Sequence, residues 1–351
     1  MWPADVSREA ATDLLVAVTG PTGTLGSALL PRLEADDRVA RVVGVARRPF
    51  DPGPRGWTKM VYRRGDVRDP AALDDAFSGA DVVVHLAFLV LGTGSRATTR
   101  AVNVDGTLNV LDAAARAGAR RFVYASSVAA YGFHRDNPVG MSEEWPVRPA
   151  AHLFYAREKA ELEQRLADRS TAHPDLDVFV VRPSIVVGAH TVGAKAAMPA
   201  AVTSAGRALG GVARRWPIPV LVPEVPIQLV HEDDVARALV LCAVGAGPPG
   251  AYNLAGDGLV TAAELVRELG LIPITVPGPL VAVAARTLTA LAALPLVPPI
   301  VSWAEVLTHP AVMDTAKARR ELGWRPRYSG HQALLDALGR GGRGAAAGGP
   351  G

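Results

Sequence analysis

The sequence predicts an α/β fold in which a parallel β-sheet is covered by helices on both faces. Short apolar runs, mostly rich in β-branched residues, alternate with longer helix-like stretches as far as about Gly188. A glycine-rich turn joins the first of these runs to a helix-like stretch. Alternation of this kind is typical of βαβ units, whose strands are buried on both faces of the sheet.

The individual elements follow this alternation. The predicted strands are Leu14 to Thr19, Val42 to Ala46, Met60 to Arg63, Val82 to Leu86, Phe122 to Ala125 and Val178 to Val181. Helix-like stretches between them include Val110 to Ala117 and Glu158 to Asp168. After about Gly188 the rhythm breaks and prolines multiply, so we interpret the residues up to Gln228 as a cap or insertion.

Composition excludes several classes of protein. The chain has 351 residues, of which 49% are hydrophobic and 20% charged, so a sizeable core is possible. The net charge is +3, but the arginines are scattered and form no dense basic run with interleaved aromatic residues, so we expect no nucleic-acid partner. Cys242 is the only cysteine, which excludes an internal disulfide. Met1 to Asp13 contain no apolar run of the signal-peptide kind, and we expect a cytoplasmic location.

Two acidic segments are interpreted as neither catalytic residues nor metal ligands. His231, Glu232, Asp233 and Asp234 are adjacent, and adjacent ligands in one short run cannot all converge on one ion, so we expect no metal site. Glu143 and Glu144 are interpreted as solvated.

The glycine-rich turn predicts a site for a phosphate-bearing cofactor. Thr19-Gly20-Pro21-Thr22-Gly23-Thr24-Leu25-Gly26 has three glycines spaced three apart between a strand and a helix. Such glycines let the chain turn tightly, let a pyrophosphate approach the backbone and let the helix pack on the strand. Taken alone, the turn also fits an ordinary strand-to-helix loop. The cofactor-binding residues predicted here are Gly20, Thr22, Gly23, Thr24, Leu25 and Gly26.

Tyr155 and Lys159 predict acid/base chemistry. They are four residues apart and share one face of a helix, so the ammonium can lie near the phenol and favour its charged form. A tyrosine in this setting is a candidate proton donor and acceptor near neutral pH. Without further context, a solvated helix face is the favoured explanation of such a pair.

With these motifs in place, the chain resembles the extended short-chain dehydrogenase/reductase family from about Leu14 to Leu338. The glycine turn is similar to the family's TGxxGxxG, and Tyr155 with Lys159 to its YxxxK pair. The other segments that carry the resemblance are Gly65-Asp66-Val67, His85-Leu86-Ala87, Asn103-Val104-Asp105-Gly106-Thr107, Ser126-Ser127-Val128-Ala129-Ala130-Tyr131-Gly132, Arg182-Pro183, Val230-His231-Glu232-Asp233-Asp234-Val235-Ala236 and Tyr252-Asn253-Leu254-Ala255-Gly256. The resemblance implies a Rossmann-type doubly wound parallel sheet with a smaller C-terminal substrate-binding lobe.

The resemblance also implies residue roles. Tyr155 would exchange a proton with the reacting oxygen, Ser127 would hold that oxygen, and Lys159 would lower the phenol pKa and bind the nicotinamide ribose. Ser127 rather than Ser126 matches the family's serine, and neighbouring strand residues point to opposite faces. The further cofactor contacts implied are Asp66, Val67, Leu86, Ala87, Asn103, Tyr155, Lys159 and Pro183. The resemblance suggests a homodimer formed by the helices that carry Asn103 and Tyr155.

Two of these residues keep alternative interpretations. Asp66 either caps a turn or contacts adenine. Asn103 either supports an active-site water network or packs its own helix.

The end of the second strand predicts the cofactor. Enzymes that prefer NAD place an acid there against the ribose 2′-hydroxyl, whereas enzymes that prefer NADP offer an arginine to the 2′-phosphate. Ala46 stands at the acidic position and is followed by Arg47 and Arg48. The pair predicts NADP, and two solvated loop arginines are the alternative.

These assignments divide the chain into four regions. Residues 1–13 are an N-terminal extension, and residues 14–187 are a dinucleotide-binding domain with the catalytic residues. Residues 188–338 are a substrate-binding lobe interleaved with the last sheet elements, and residues 339–351 are a disordered tail. Residues 276–301 are strongly apolar, but prolines and Arg286 interrupt them. We therefore expect them to roof a pocket or contact a membrane surface rather than to span a membrane.

Departures from the family's sequence patterns reduce the range of reactions that we expect. Val128 and Ala129 stand where sugar-nucleotide dehydratases carry an Asp-Glu pair, and Pro226 to Leu229 lack the arginine that often holds a substrate phosphate. The sequence therefore predicts an NADP-dependent oxidoreductase that interconverts a carbonyl and a secondary alcohol on a fairly apolar small molecule. The alternatives are a nucleotide-sugar 4-epimerase or reductase and, from another class, a non-catalytic NADP-binding regulator.

Overall fold

The structure is a computed structural model that describes residues 13–90, 95–150, 153–190, 219–276 and 309–340. Several sequence predictions fall outside these ranges. They concern the N-terminal extension except Asp13, residues 191–218 of the predicted cap, the apolar segment beyond Val276 and the tail beyond Arg340.

The centre of the fold is a sheet of seven parallel strands. In chain order these are β1 (Leu14–Thr19), β2 (Val39–Ala46), β3 (Met60–Arg64), β4 (Val82–His85), β5 (Arg121–Ala125), β6 (Asp177–Pro183) and β11 (Gly250–Leu254). Across the sheet the order is β11-β6-β5-β4-β1-β2-β3, and every pairing is parallel. The strand order reverses between β1 and β4, which is where Rossmann-type sheets bind their ligands.

Helices cover both faces of this sheet. The described helices are α1 (Thr24–Ala35), α2 (Pro70–Ala76), α3 (Arg96–Arg100), α4 (Gly106–Arg116), α5 (Phe154–Ser170), α6 (Glu232–Val244), α7 (Ala262–Glu268), α8 (Ala316–Glu321) and α9 (Gly330–Ala337). On one face, α1 and α6 pack apolar side chains against the sheet. On the other face, α2, α4 and α5 do the same. Burial on both faces explains why the central strands are apolar over consecutive residues rather than alternating.

The predicted doubly wound fold is confirmed, and the differences concern element ends. Strand β2 begins three residues before Val42, because Val39 is buried against the helix layer. Helix α5 begins at Phe154 rather than Glu158, so Tyr155 lies in its first turn. Strand β11 was not among the predicted strands, although its residues overlap the segment at Tyr252.

In the described residues, the C-terminal part of the chain builds a smaller lobe that contains three two-stranded sheets. Strand β7 (Ile185–Val187) pairs with β10 (Leu229–His231), and β8 (Pro219–Pro223) pairs with β13 (Ile272–Val276). The third sheet joins β9 (Pro226–Ile227) to β12 (Val260–Thr261). Because β11 returns to the main sheet, this lobe is interleaved with the large domain.

A π-helical turn interrupts one long helix. Residues Ala101–Asp105 form it between α3 and α4. Such turns are rare and are frequently found at functional sites. This one carries Asn103.

Candidate active site

The glycine turn forms a cradle at the point where the strand order reverses. Gly20 has a φ of +70°, and a Cβ at this position would lie 2.8 Å from the backbone nitrogen of Ala87. A Cβ on Gly26 would lie 2.5 Å from the carbonyl oxygens of Gly20 and Pro21. Side chains are therefore excluded at both positions, which lets a ligand approach the backbone. Helix α1 begins at Thr24 directly behind this turn, so its N-terminus fits a pyrophosphate.

His85 ties β4 to the neighbouring elements beneath this cradle. Its Nδ1 is 2.7 Å from the Thr19 hydroxyl, and its Nε2 is 2.9 Å from the Thr107 hydroxyl. Thr107 donates its own proton to the carbonyl of Asn103, so Nε2–H must be the donor to Thr107 and Nδ1 the acceptor. Burial and, to a smaller extent, the positive charge of Lys159 lower the pKa of His85 to about 3. The imidazole is therefore neutral.

Arginines surround the end of β2. Arg47 and Arg48 are exposed there, and Ala46 pairs in register with Arg64 at the end of β3. Both carboxylate oxygens of the nearby Asp66 are bound by Arg68 over 2.7 and 3.0 Å, and this hydrogen bonding lowers the pKa of Asp66.

Asp66 shapes the turn after β3. Its carboxylate accepts from the backbone N–H of Arg68, and its carbonyl accepts from that of Asp69. The structure shows the capped turn, and a contact between Asp66 and adenine stays a prediction. Val67 is buried against the start of α4, where a Cβ on Gly106 would meet its side chain at 2.5 Å.

Ser127, Tyr155 and Lys159 come together at the carboxyl ends of β4, β5 and β6. Ser127 follows β5 and hydrogen-bonds the Tyr155 side chain, while its hydroxyl accepts from the backbone N–H of Ala129. Lys159 donates to the carbonyl oxygen of Ala125 over 2.6 Å. The helix spacing thus places Tyr155 and Lys159 on the inner face of α5, where Lys159 is 3% exposed and not solvated.

Burial dominates the protonation of this group. It raises the pKa of Tyr155, and the hydrogen bond with Ser127 partly offsets this. Burial also lowers the pKa of Lys159 to about 7, against the opposing effect of Glu163 and Glu158. The spacing of Tyr155 and Lys159 predicts an ammonium that lowers the phenol pKa, and this prediction is wrong for the arrangement seen here. Burial raises the Tyr155 pKa, and the ammonium donates to the Ala125 carbonyl instead.

Ser126 turns away from this group, as the strand alternation predicted. Its hydroxyl donates to Oε1 of Glu163 over 2.5 Å. The same carboxylate accepts from Nε and Nη2 of Arg182 on β6, and Nη1 of Arg182 donates to the Tyr131 hydroxyl over 2.6 Å. The Glu163 and Arg182 side chains are each 7% exposed.

Sequence reasoning missed the role of Glu163. The signal was present, because Glu163 follows Lys159 by four residues and must share its helix face. Its partner lies 19 residues further along the chain, and that pairing is a property of the tertiary fold.

Asn103 connects the loop after β4 to α5. Its side chain accepts from the backbone N–H of Leu89 over 2.8 Å and donates to the carbonyl of Leu89 and to Glu158. These contacts are to other elements rather than to its own helix, and a role of Asn103 in an active-site water network stays a prediction. Leu86 and Ala87 lie on the same loop, and the N–H of Ala87 contacts the Thr19 hydroxyl at 3.4 Å. Pro183 closes β6 and is buried.

Two acidic groups are structural. The interpretation of Glu143 as solvated is wrong, because its half-buried carboxylate accepts from the backbone N–H of Asn253 over 2.8 Å. Asp234 is fully buried and accepts from the backbone N–H groups of Arg327 and Tyr328. Within the described ranges, no three His, Cys, Asp or Glu side chains are grouped as a metal site requires.

The doubly wound sheet and its glycine cradle define a Rossmann-type enzyme with a nicotinamide cofactor. Residues 16–255 match the model of the NAD dependent epimerase/dehydratase family. Because the match covers more than half of the chain, the protein belongs to that family.

Two curated relatives show similarity along the chain. An uncharacterized protein of Mycobacterium tuberculosis is 28% identical over 339 residues, which cover 92% of this chain and 82% of the relative. Sterol demethylase protein B of Methylococcus capsulatus is 36% identical over 174 residues, which cover 49% of this chain and 51% of the relative.

Two solved structures have the same fold. The crystal structure of gox2253 has a TM-score of 0.71 and 26% identity, and the alignment covers 94% of this chain and 98% of that chain. MoeE5 in complex with UDP-glucose and NAD has a TM-score of 0.64 and 25% identity, with 93% and 97% covered.

No helix within the described residues is long and apolar enough to cross a membrane.

Proposed function

We propose that the protein is an NADP-dependent oxidoreductase that interconverts a carbonyl and a secondary alcohol on a fairly apolar small molecule. The observation that carries the proposal is the hydrogen bond between Ser127 and Tyr155 beside the buried Lys159. These groups lie at the carboxyl edge of the sheet, next to the glycine cradle. A non-catalytic regulator would have no use for an intact proton-transfer group there.

The protein's own residues supply binding and proton transfer. When bound, the nicotinamide gives or accepts the hydride. Tyr155 donates its phenolic proton to the carbonyl oxygen in the reducing direction and takes it back from the alcohol in the other direction. The Ser127 hydroxyl holds the same oxygen, and Lys159 binds the nicotinamide ribose.

The arginines at the end of β2 favour NADP over NAD. Arg47 and Arg48 are exposed cations there, and the charge of Asp66 is already paired with Arg68. A 2′-phosphate would therefore meet cations rather than a free carboxylate. The cofactor named for MoeE5 is NAD. The proposed preference for NADP therefore differs from the cofactor of this similar structure and rests on Arg47 and Arg48.

The described part of the substrate side favours an apolar ligand. Ile185, two residues after Pro183, is 40% exposed, and Val90, next to Leu89, is 44% exposed. The Gln228 side chain binds both the N–H and the carbonyl of Met313, so it has little capacity left for a substrate phosphate. Similarity to a sterol demethylase protein points to the same class of substrate.

A nucleotide-sugar 4-epimerase or reductase is the second candidate. The structural similarity to MoeE5, which is named with UDP-glucose, favours it. The two candidates differ in their substrates, because an unpaired diphosphate is costly to bury against hydrocarbon.

Competing-substrate kinetics with purified protein distinguish them. We expect NADPH oxidation with hydrophobic cyclic or aryl ketones and a lower kcat/KM for every UDP- and dTDP-sugar tested. A nucleotide sugar with a higher kcat/KM than every apolar ketone would establish the second candidate instead. The predicted homodimer and cytoplasmic location belong to the same proposal, and light scattering of the purified protein tests the dimer.

A further inference from the structure

Phe88 touches both members of the proposed proton-transfer pair. The Nζ of Lys159 lies 3.7 Å from the centroid of the Phe88 ring. The Phe88 and Tyr155 rings are perpendicular, with centroids 5.6 Å apart. One side chain thus contacts the ammonium and the phenol ring together.

The contact with Lys159 is electrostatically favourable. The face of an aromatic ring carries partial negative charge, and a desolvated cation within about 6 Å of the centroid is attracted to it. Lys159 is 3% exposed, so little water competes for the ammonium. The Tyr124 ring lies on the same ammonium, with its centroid 4.7 Å from Nζ.

The backbone holds Phe88 in place relative to α5. Its neighbour Leu89 is bound at both its N–H and its carbonyl by the side chain of Asn103. Asn103 in turn donates to Glu158, the residue before Lys159. The loop after β4, the π-helical turn and α5 therefore form one connected unit around the ammonium.

We propose that Phe88 is a positioning residue, which holds the Lys159 ammonium on its ring face and fixes the Tyr155 ring by perpendicular packing. The role of this pair in catalysis rests on the function proposed above. The contacts of Phe88 are independent of the identity of the substrate.

Other titratable groups also act on Lys159. Glu158 and Glu163 on α5 favour its charged form. His85 on β4 is neutral, and Tyr124 on β5 and Tyr155 on α5 are the neighbouring phenols. Replacing Phe88 leaves all of these groups in the protein, so a change in Lys159 titration reports on the ring.

The test compares Phe88→Leu with Phe88→Tyr. Leucine keeps an apolar side chain but removes the ring face, whereas tyrosine keeps the face. Phe77→Leu is the matched control, because it makes the same chemical change at a fully buried core residue at the end of α2. The sequence contains four lysines, so NMR of protein labelled at the lysine side chains can follow Lys159, and Lys159→Met identifies its signal.

We expect Phe88→Leu to lower the Lys159 pKa by about 0.5 to 1 unit, as loss of a cation–π contact would. Phe88→Tyr keeps the ring face and Phe77→Leu does not touch Lys159, so both variants should leave the Lys159 pKa within about 0.2 unit of the parent value. An unchanged Lys159 pKa in Phe88→Leu, or an equal shift in Phe77→Leu, would overturn the inference. The measurement needs no turnover, so a shifted pKa in a protein that reduces no ketone would support Phe88 and count against the proposed oxidoreductase only.

Discussion

Ser126 donates a hydrogen bond to Glu163 over 2.5 Å, while the next residue, Ser127, hydrogen-bonds Tyr155. Two adjacent serines therefore bind two different side chains of α5. Ser126 connects the end of β5 to Glu163, which in turn binds the buried Arg182, and Ser127 is the residue proposed to hold the reacting oxygen. The buried ion pair is thus part of the support for the proton-transfer group.

Breaking that ion pair should unfold the protein readily. Arg182→Met leaves the Glu163 carboxylate buried without its cation, and we expect a loss of about 3 to 5 kcal/mol in the free energy of unfolding. Chemical denaturation measures it. Arg120→Met is the control, because its ion pair with Asp81 is exposed and should cost less than about 1 kcal/mol. Equal losses for both variants would contradict the prediction, and Arg182→Met combined with Glu163→Leu should recover much of the stability.

Tyr155→Phe should abolish turnover and keep cofactor binding nearly intact. The change removes the hydroxyl that bonds Ser127 but retains the ring that packs on Phe88, and a lost acid/base group costs about 10²-fold to 10⁴-fold in kcat. Steady-state kinetics and cofactor titration measure the two effects. Lys159→Met should impair both, and Tyr328→Phe, which alters a ring stacked on His231, should impair neither. A Tyr155→Phe variant with more than about a tenth of the parent kcat would refute the assignment.

Replacing Arg47 and Arg48 together by alanine should weaken NADP binding selectively. Charge-assisted contacts to a phosphate contribute about 1.5 to 3 kcal/mol, which corresponds to roughly tenfold to a hundredfold in Kd. NAD binding should change little, because NAD lacks the 2′-phosphate. Arg41→Ala alters an exposed arginine within β2, before the proposed phosphate site, and serves as the control. If calorimetric titration gave the parent protein equal affinities for both cofactors, the NADP preference would be wrong.

Acid should destabilise the protein partly through His85. Its folded pKa of about 3 lies below the unfolded value of about 6.5. The unfolded chain therefore binds the extra proton between these two pH values, and stability falls as the pH is lowered through this window. The contribution approaches about 1.4 kcal/mol per pH unit. His85→Gln should flatten the slope of unfolding free energy against pH between about pH 4 and 6, and an unchanged slope would show that His85 takes up a proton in the folded state.

Local patterns predicted the sheet, and the spacing of the glycines located the cradle. The choice of Ser127 over Ser126 came from the resemblance to the family's serine segment, and period-two alternation added only that one of the two serines would reach the site. The sequence pattern was not sufficient for Glu143. An acidic residue in an irregular segment is interpreted as solvated when no distant partner can be predicted. Its partner, the N–H of Asn253, is 110 residues away. Phe88 was missed for a related reason, since an apolar residue in a loop after a strand gives no sign of which cation it will meet.

Some contacts that support the candidate site can form only after strand β11 has been synthesised. Asn253 accepts from the Tyr131 hydroxyl and donates to the carbonyl of Met141, which precedes it by 112 residues. On the ribosome, Ser127 and the Tyr155 helix emerge long before Asn253. Until then the Tyr131 hydroxyl lacks this acceptor, and the edge of β6 lacks its neighbouring strand. The nascent N-terminal half therefore presents an open sheet edge of the kind that invites mispairing. Strand β11, the last strand of the main sheet, covers that edge and completes the contacts of Tyr131.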